Sequence, residues 1–174
     1  IHRIELTASG YFPAILQISL PRDAGKTIAK ELLQRESIAV AGIRLESAIK
    51  RERGVFQYLR DEVFFPSEIP PNQYPLLEDR IAARIASKLS VSGEFLEVRS
   101  GGSRAGSGAT ISVRAVLDRS SMVLNGELAG SAILGARTLD ASVSVPLKNF
   151  DQQLSQACAQ LAGDLTSQYL AAVS

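Results

Sequence analysis

The chain has 174 residues, 45% apolar and 21% charged, the composition of an ordinary globular domain. Lys and Arg number 19 against 18 Asp and Glu, so the net charge of +1 lacks the basic excess that nucleic-acid binding asks for. One cysteine, Cys158, excludes an internal disulfide, and one histidine, His2, excludes a Cys/His metal cluster.

A chain of this length buries about 70% of its unfolded surface, so a single domain spanning 1–174 needs no metal or disulfide staple. No apolar run approaches the ~20 residues of a membrane helix. The sequence opens on Ile1 rather than Met, so we expect a processed or truncated product, with a signal or anchor upstream.

Residues 3–9 alternate, with Ile4, Leu6 and Ala8 on one face and Arg3, Glu5 and Thr7 on the other, which predicts a half-buried strand. Residues 14–20 repeat the pattern through Leu16, Ile18 and Leu20, and Gly10 suits the turn between the two. Pro21 stops the second strand. Residues 22–35 then predict a helix with a short stripe of Ile28, Leu32 and Leu33. Residues 37–45 return to strand through Ile38, Val40 and Ile43. Lys50-Arg51-Glu52-Arg53-Gly54 reads as a charged hairpin tip, and residues 55–59 as the returning strand.

Residues 61–74 form a proline-rich loop in which Phe64, Phe65 and Tyr74 interleave with Pro66, Pro70 and Pro71. Pro75 suits the first turn of a helix, whose stripe Leu77, Ile81, Ile85, Leu89 recurs every four residues until Gly93 stops it. Residues 95–98 predict a short strand. Residues 100–108 are a glycine–serine loop. Residues 111–117, 122–134 and 139–145 read as three further strands, the second bulged at Gly126 or Gly130. Asn149 is the expected N-cap of a last helix, boxed by Gln152, with the stripe Leu154, Cys158, Leu161, Leu165, Tyr169.

The predicted order is therefore β-β-α-β-β-α-β-β-β-β-α. It argues for an α+β fold: a two-layer sandwich, its sheet mixed and mostly antiparallel, with two to three helices on one face. One crossover, through the helix that Pro75 opens, would pair the Ile38 and Phe95 strands in parallel.

Chemistry-bearing motifs are thin. Gly25-Lys26-Thr27 stands between a strand and a helix, but a phosphate-binding loop needs glycine where Leu20 sits, and Pro21 removes an N–H from the cradle. Gly106 and Gly108 have dinucleotide-fingerprint spacing, but the third glycine position holds Ile111 and a strand follows. Cys158 lies on an apolar stripe, where thiols are buried and inert. Glu78 and Asp79 adjoin at a helix start and favour the macrodipole. We therefore expect no catalytic, cofactor or metal residues. The candidate surfaces are Arg51 and Arg53 at the charged tip, and Phe64, Phe65 and Tyr74, either as partner anchors or as a lid folded on the core.

Two stretches carry a family resemblance. One is 38–98, with Val55-Phe56-Gln57-Tyr58-Leu59, the proline loop, the helix, and Gly93, Phe95 and Val98 spaced as G-x-F-x-x-V. The other is Val143-Ser144-Val145-Pro146-Leu147 followed by Phe150-Asp151-Gln152-Gln153-Leu154. Together they resemble the auxiliary lipoproteins of Gram-negative ABC-type lipid transporters. The helix-then-strand unit is also similar to small envelope lipoproteins related to curli and exopolysaccharide secretion. Phe64 or Phe65 stands where the family has a tryptophan before the main helix, and the lipobox cysteine would lie upstream of Ile1. The resemblance implies a non-enzymatic periplasmic binding module, lipid-anchored, whose partners are envelope transport or secretion proteins and, as a candidate, lipid. The alternatives are a ring-forming subunit of an exopolysaccharide or protein secretion apparatus, and a nucleotide or small-ligand enzyme using the helix start near Gly25.

Overall fold

The computed structural model describes residues 2–18, 33–48, 69, 71–100 and 108–174. The predicted elements at 22–32 and 50–59 and the glycine loop at 101–107 lie outside these residues.

Strands β1 (His2–Leu6) and β2 (Ala14–Ile18) pair antiparallel as a separate ribbon, with Ile4 opposite Leu16. The main sheet holds β3 (Ile38–Val40), β4 (Arg44–Ser47), β5 (Val98–Ser100), β6 (Ala109–Leu117), β7 (Ser121–Ala129) and β8 (Leu139–Pro146). Its order is β5-β3-β6-β7-β8, with β4 pairing β6 beyond the end of β3. Ile38 lies parallel to Val98 on one side and to Ala109 on the other, so the expected parallel crossover is present. The β6-β7-β8 meander is antiparallel. This is the α+β fold that the order of elements implies.

Helix α1 (Tyr74–Ser92) follows one 3₁₀ turn at Pro71–Gln73, and α2 (Phe150–Val173) closes the chain. Both helices bury their apolar stripes in one core with the sheet: Leu77, Ile81, Ile85 and Leu89 from α1, and Leu154, Leu161 and Leu165 from α2. Each such side chain contributes about 1.5–3 kcal/mol on burial. The sheet supplies Ile111, Val113, Met122, Leu124, Leu128 and Val145 to the same core, while Ser112, Arg114, Asn125 and Ser142 alternate onto the other face. Arg80 and Arg84 of α1 meet Asp151 at the start of α2, and Phe95 just past α1 meets Tyr169 near the end of α2, with ring centroids 5.2 Å apart. The two helices therefore run side by side in the same direction.

Several boundaries differ from the sequence reading, each for a local reason. Residues 33–35, the described part of the helix expected over 22–35, are not helical: Arg35 bridges Tyr11 antiparallel, and the Phe12 N–H donates to the Gln34 carbonyl at 2.9 Å. A cross-chain partner there outcompetes the helical one. The strand at 37–45 breaks at 41–43, where Gly42 turns with φ 69°, and resumes as β4 through Ser47. Phe95 precedes rather than joins β5; it is buried against Tyr169 after Gly93, in the left-handed region at φ 69°, ends α1. The strand expected over 122–134 stops at Ala129, before Gly130.

Gly126 makes no bulge: the β7–β8 register runs unbroken through it. Its missing side chain serves packing instead, because a Cβ there would sit 3.1 Å from Leu161 Cδ2 of α2. Asn149 does not cap with its side chain. It adopts φ 54°, and its backbone carbonyl accepts from the Gln152 and Gln153 N–H groups at 3.1 and 3.2 Å.

Candidate functional site

Of the five residues singled out for partner binding, Arg51, Arg53, Phe64 and Phe65 lie outside the described residues. Tyr74 is the first residue of α1, half-buried and packed against the core. Its ring packs against the core from the first turn of the helix.

The groove opens where the two helices begin. Ile69, Gln73, Leu76, Leu77 and Arg80 line it from the α1 side, and Phe150 and Asp151 from α2, around a volume of about 340 Å³. Pro75 explains why α1 starts here: in the first turn its missing N–H costs nothing. Leu77 is buried and anchors the floor, whereas Leu76, the next residue round the helix, is 64% exposed. A large aliphatic side chain left in water beside an apolar floor is the kind of surface that a partner can cover. Arg80 pairs with Asp151, and Arg84 reaches the same carboxylate at 3.5 Å and the Asp151 carbonyl at 3.1 Å. These are exposed pairs worth at most about 1 kcal/mol each, so they set orientation more than stability.

A second concavity, of about 410 Å³, lies on the open face of the sheet among Ser112, Arg114, Asn125, Glu127, Asp140 and Ser142. Arg114 donates from Nε and Nη2 to Glu46 Oε2 at 3.0 and 2.7 Å, and the Ser142 hydroxyl donates to Asn125 Oδ1 at 2.9 Å. Neighbouring Glu46 raises the pKa of the Arg114 guanidinium, chiefly through this hydrogen bond. Glu127 and Asp140 stand directly opposite each other in the ladder. The face is polar and shallow, with hydroxyls but no imidazole to activate them.

Sequence reasoning missed the polar cluster inside the core. Glu36 is 1% exposed. Its Oε2 accepts from the Ser131 hydroxyl at 2.7 Å and the Tyr169 hydroxyl at 3.1 Å, and its Oε1 from the Ala132 N–H at 2.6 Å. Burial, with the Glu36 charge behind it, pushes the Tyr169 phenol above its usual range. All three partners lie far from Glu36 in sequence, and one glutamate beside a strand gives no periodic signal. With its carboxylate fully engaged by donors, this cluster joins chain segments rather than opening to a ligand.

Cys158 is fully buried on α2, and burial pushes its thiol up to about 11. Only the thiolate reacts, so the folded protein should resist thiol reagents at neutral pH. Labelling with a maleimide is expected to track unfolding; rapid labelling of the native chain would contradict this placement. Among the described residues, no group of three or more His, Cys, Asp or Glu could hold a metal. No helix among them is long and apolar enough to cross a membrane.

No protein-family model matches the sequence. No curated protein matches it either. A crystal structure of an "uncharacterized protein" aligns with 12% identity and a TM-score of 0.41, over 76% of this chain and 91% of its own. A likeness at that level carries no argument.

Proposed function

We propose that this domain is a non-catalytic binding module of a lipid-transport complex in the Gram-negative envelope, held at the periplasmic membrane surface by a lipid anchor upstream of Ile1. The observation that carries the reading is the groove at the shared start of the two helices. It has an apolar floor of Leu77 and Phe150 and an exposed Leu76. The aromatic–proline segment holding Phe64 and Phe65 precedes the first helix in sequence. Affinity would come from covering these aliphatic and aromatic groups, as at other interface centres. The G-x-F-x-x-V resemblance supports the same reading: Gly93 ends α1, Phe95 enters the core, and Val98 opens β5.

A photo-crosslinking residue at Leu76, used in cells, should trap subunits of a lipid transporter. Phe64→Ala, Phe65→Ala and Tyr74→Ala together should weaken that capture at least tenfold while the circular dichroism spectrum stays native. A triple variant that unfolds would assign the aromatics to the core instead. A Leu76 probe that traps no transporter subunit would sink the proposal.

A further inference from the structure

The eight-residue strand β8 is the last in the sheet order, and among the described residues no strand pairs with its outer side. An edge of this length is a template for another strand unless it is blunted. Which backbone groups it presents follows from alternation. The Leu147 N–H donates to the Ser120 carbonyl at 3.1 Å, so odd-numbered residues face β7. The Gln168 side-chain amide donates to the Asp140 carbonyl at 2.9 Å, so even-numbered residues face outward. Pro146 fits this parity, because proline is tolerated where its missing N–H would face solvent.

The outward edge thus carries the N–H groups of Asp140, Ser142 and Ser144 and the carbonyls of Ser142, Ser144 and Pro146. The Asp140 carbonyl is already taken by Gln168, and Pro146 has no donor. We propose that this edge pairs with the same edge of a second copy of the chain, antiparallel and two-fold symmetric, with Ser142 opposite Ser144 of the second copy. In that register Asp140 faces Pro146 of the other copy. Its N–H meets the Pro146 carbonyl, and the Asp140 carbonyl that Gln168 occupies meets the residue that has nothing to donate. Every outward donor and acceptor finds a partner, and the two obstructed groups fall opposite each other. A slip by two residues in either direction breaks this match.

The symmetry is isologous, so the product is a closed dimer with one sheet running through both copies.

Sedimentation of the purified chain should show a dimer. Ser144→Pro should weaken self-association by about 10–100-fold while leaving the fold intact, since it deletes an outward donor and not a β7 bond. A mixture of Ser142→Cys and Ser144→Cys chains should form a disulfide between copies under mild oxidation, because directly paired positions lie about 5.5 Å apart. Neither variant alone should do so efficiently. The cysteine mixture decides the question if Ser144→Pro fails to fold. A chain that stays monomeric at every concentration overturns the proposal. So does a dimer indifferent to Ser144→Pro in a folded variant, or one that crosslinks as readily through 142 alone.

Discussion

Glu36→Ala should be the most damaging single substitution in the core, lowering stability by about 3–5 kcal/mol in chemical denaturation. The carboxylate is 1% exposed and has no lysine or arginine partner among the described residues; hydrogen bonds alone hold it. Removing it leaves the buried Ser131 and Tyr169 hydroxyls, and the part-buried Ala132 N–H, without their acceptor, and unsatisfied buried groups cost more than their bonds contributed. The loss spreads, because Ser131 Oγ also accepts from the Leu134 N–H at 3.0 Å. Tyr169→Phe removes one donor only and should cost about 1–3 kcal/mol. A Glu36→Ala midpoint within error of the parent would show that the cluster stabilises nothing.

The same cluster has a pH signature. The Tyr169 pKa is raised in the folded state, so the folded chain holds this proton more tightly than the unfolded chain does. Its contribution is complete below the ordinary phenol value near 10 and is lost as pH rises through the folded value. Alkaline destabilisation should therefore be shallower in Tyr169→Phe than in the parent.

The second large effect concerns Gly126 and Leu161. A Cβ at position 126 would lie 3.1 to 3.2 Å from the Leu161 side chain, which is itself fully buried. Gly126→Val should cost about 1–3 kcal/mol by overpacking. Leu161→Ala should cost about 2–5 kcal/mol by leaving a cavity. Combined, the two should cost less than the sum of the singles, because the valine occupies space that the leucine vacates. Strict additivity in this double-mutant cycle would mean that α2 does not press on β7 at this point.

Periodicity revealed the elements whose partners are near in sequence. The stripes Leu77–Ile81–Ile85–Leu89 and Leu154–Cys158–Leu161–Leu165–Tyr169 are buried as read, and β6 and β8 alternate as read. The parallel pairing of the Ile38 strand with the strand after α1 was also legible, because a helix between two strands calls for a crossover. What escaped depended on contacts across the chain. Arg35 looked helical by composition, yet its Nε–H donates to the Tyr11 hydroxyl at 2.7 Å. Phe95 looked like a strand residue but is held by Tyr169. Asn149 looked like a side-chain cap, but its left-handed backbone turns the carbonyl to that task. At the candidate groove, the helix start at Pro75 and the buried Leu77 were visible in sequence. Phe150 and Asp151 were not, because only the parallel docking of α1 and α2 brings them there.

The position of β3 bears on how the chain reaches its native state. The β6-β7-β8-α2 unit is built from neighbours in sequence, so its loops close at low entropic cost. β3 lies between β5 and β6, and its residue Ile38 pairs with Val98 and Ala109 only after long stretches of chain have been brought together. That closure comes late and sets the pace of folding. Until it happens, the inner edge of β6 stands open, and the most aggregation-prone species of this chain is the one that has formed its C-terminal half and still waits for β3.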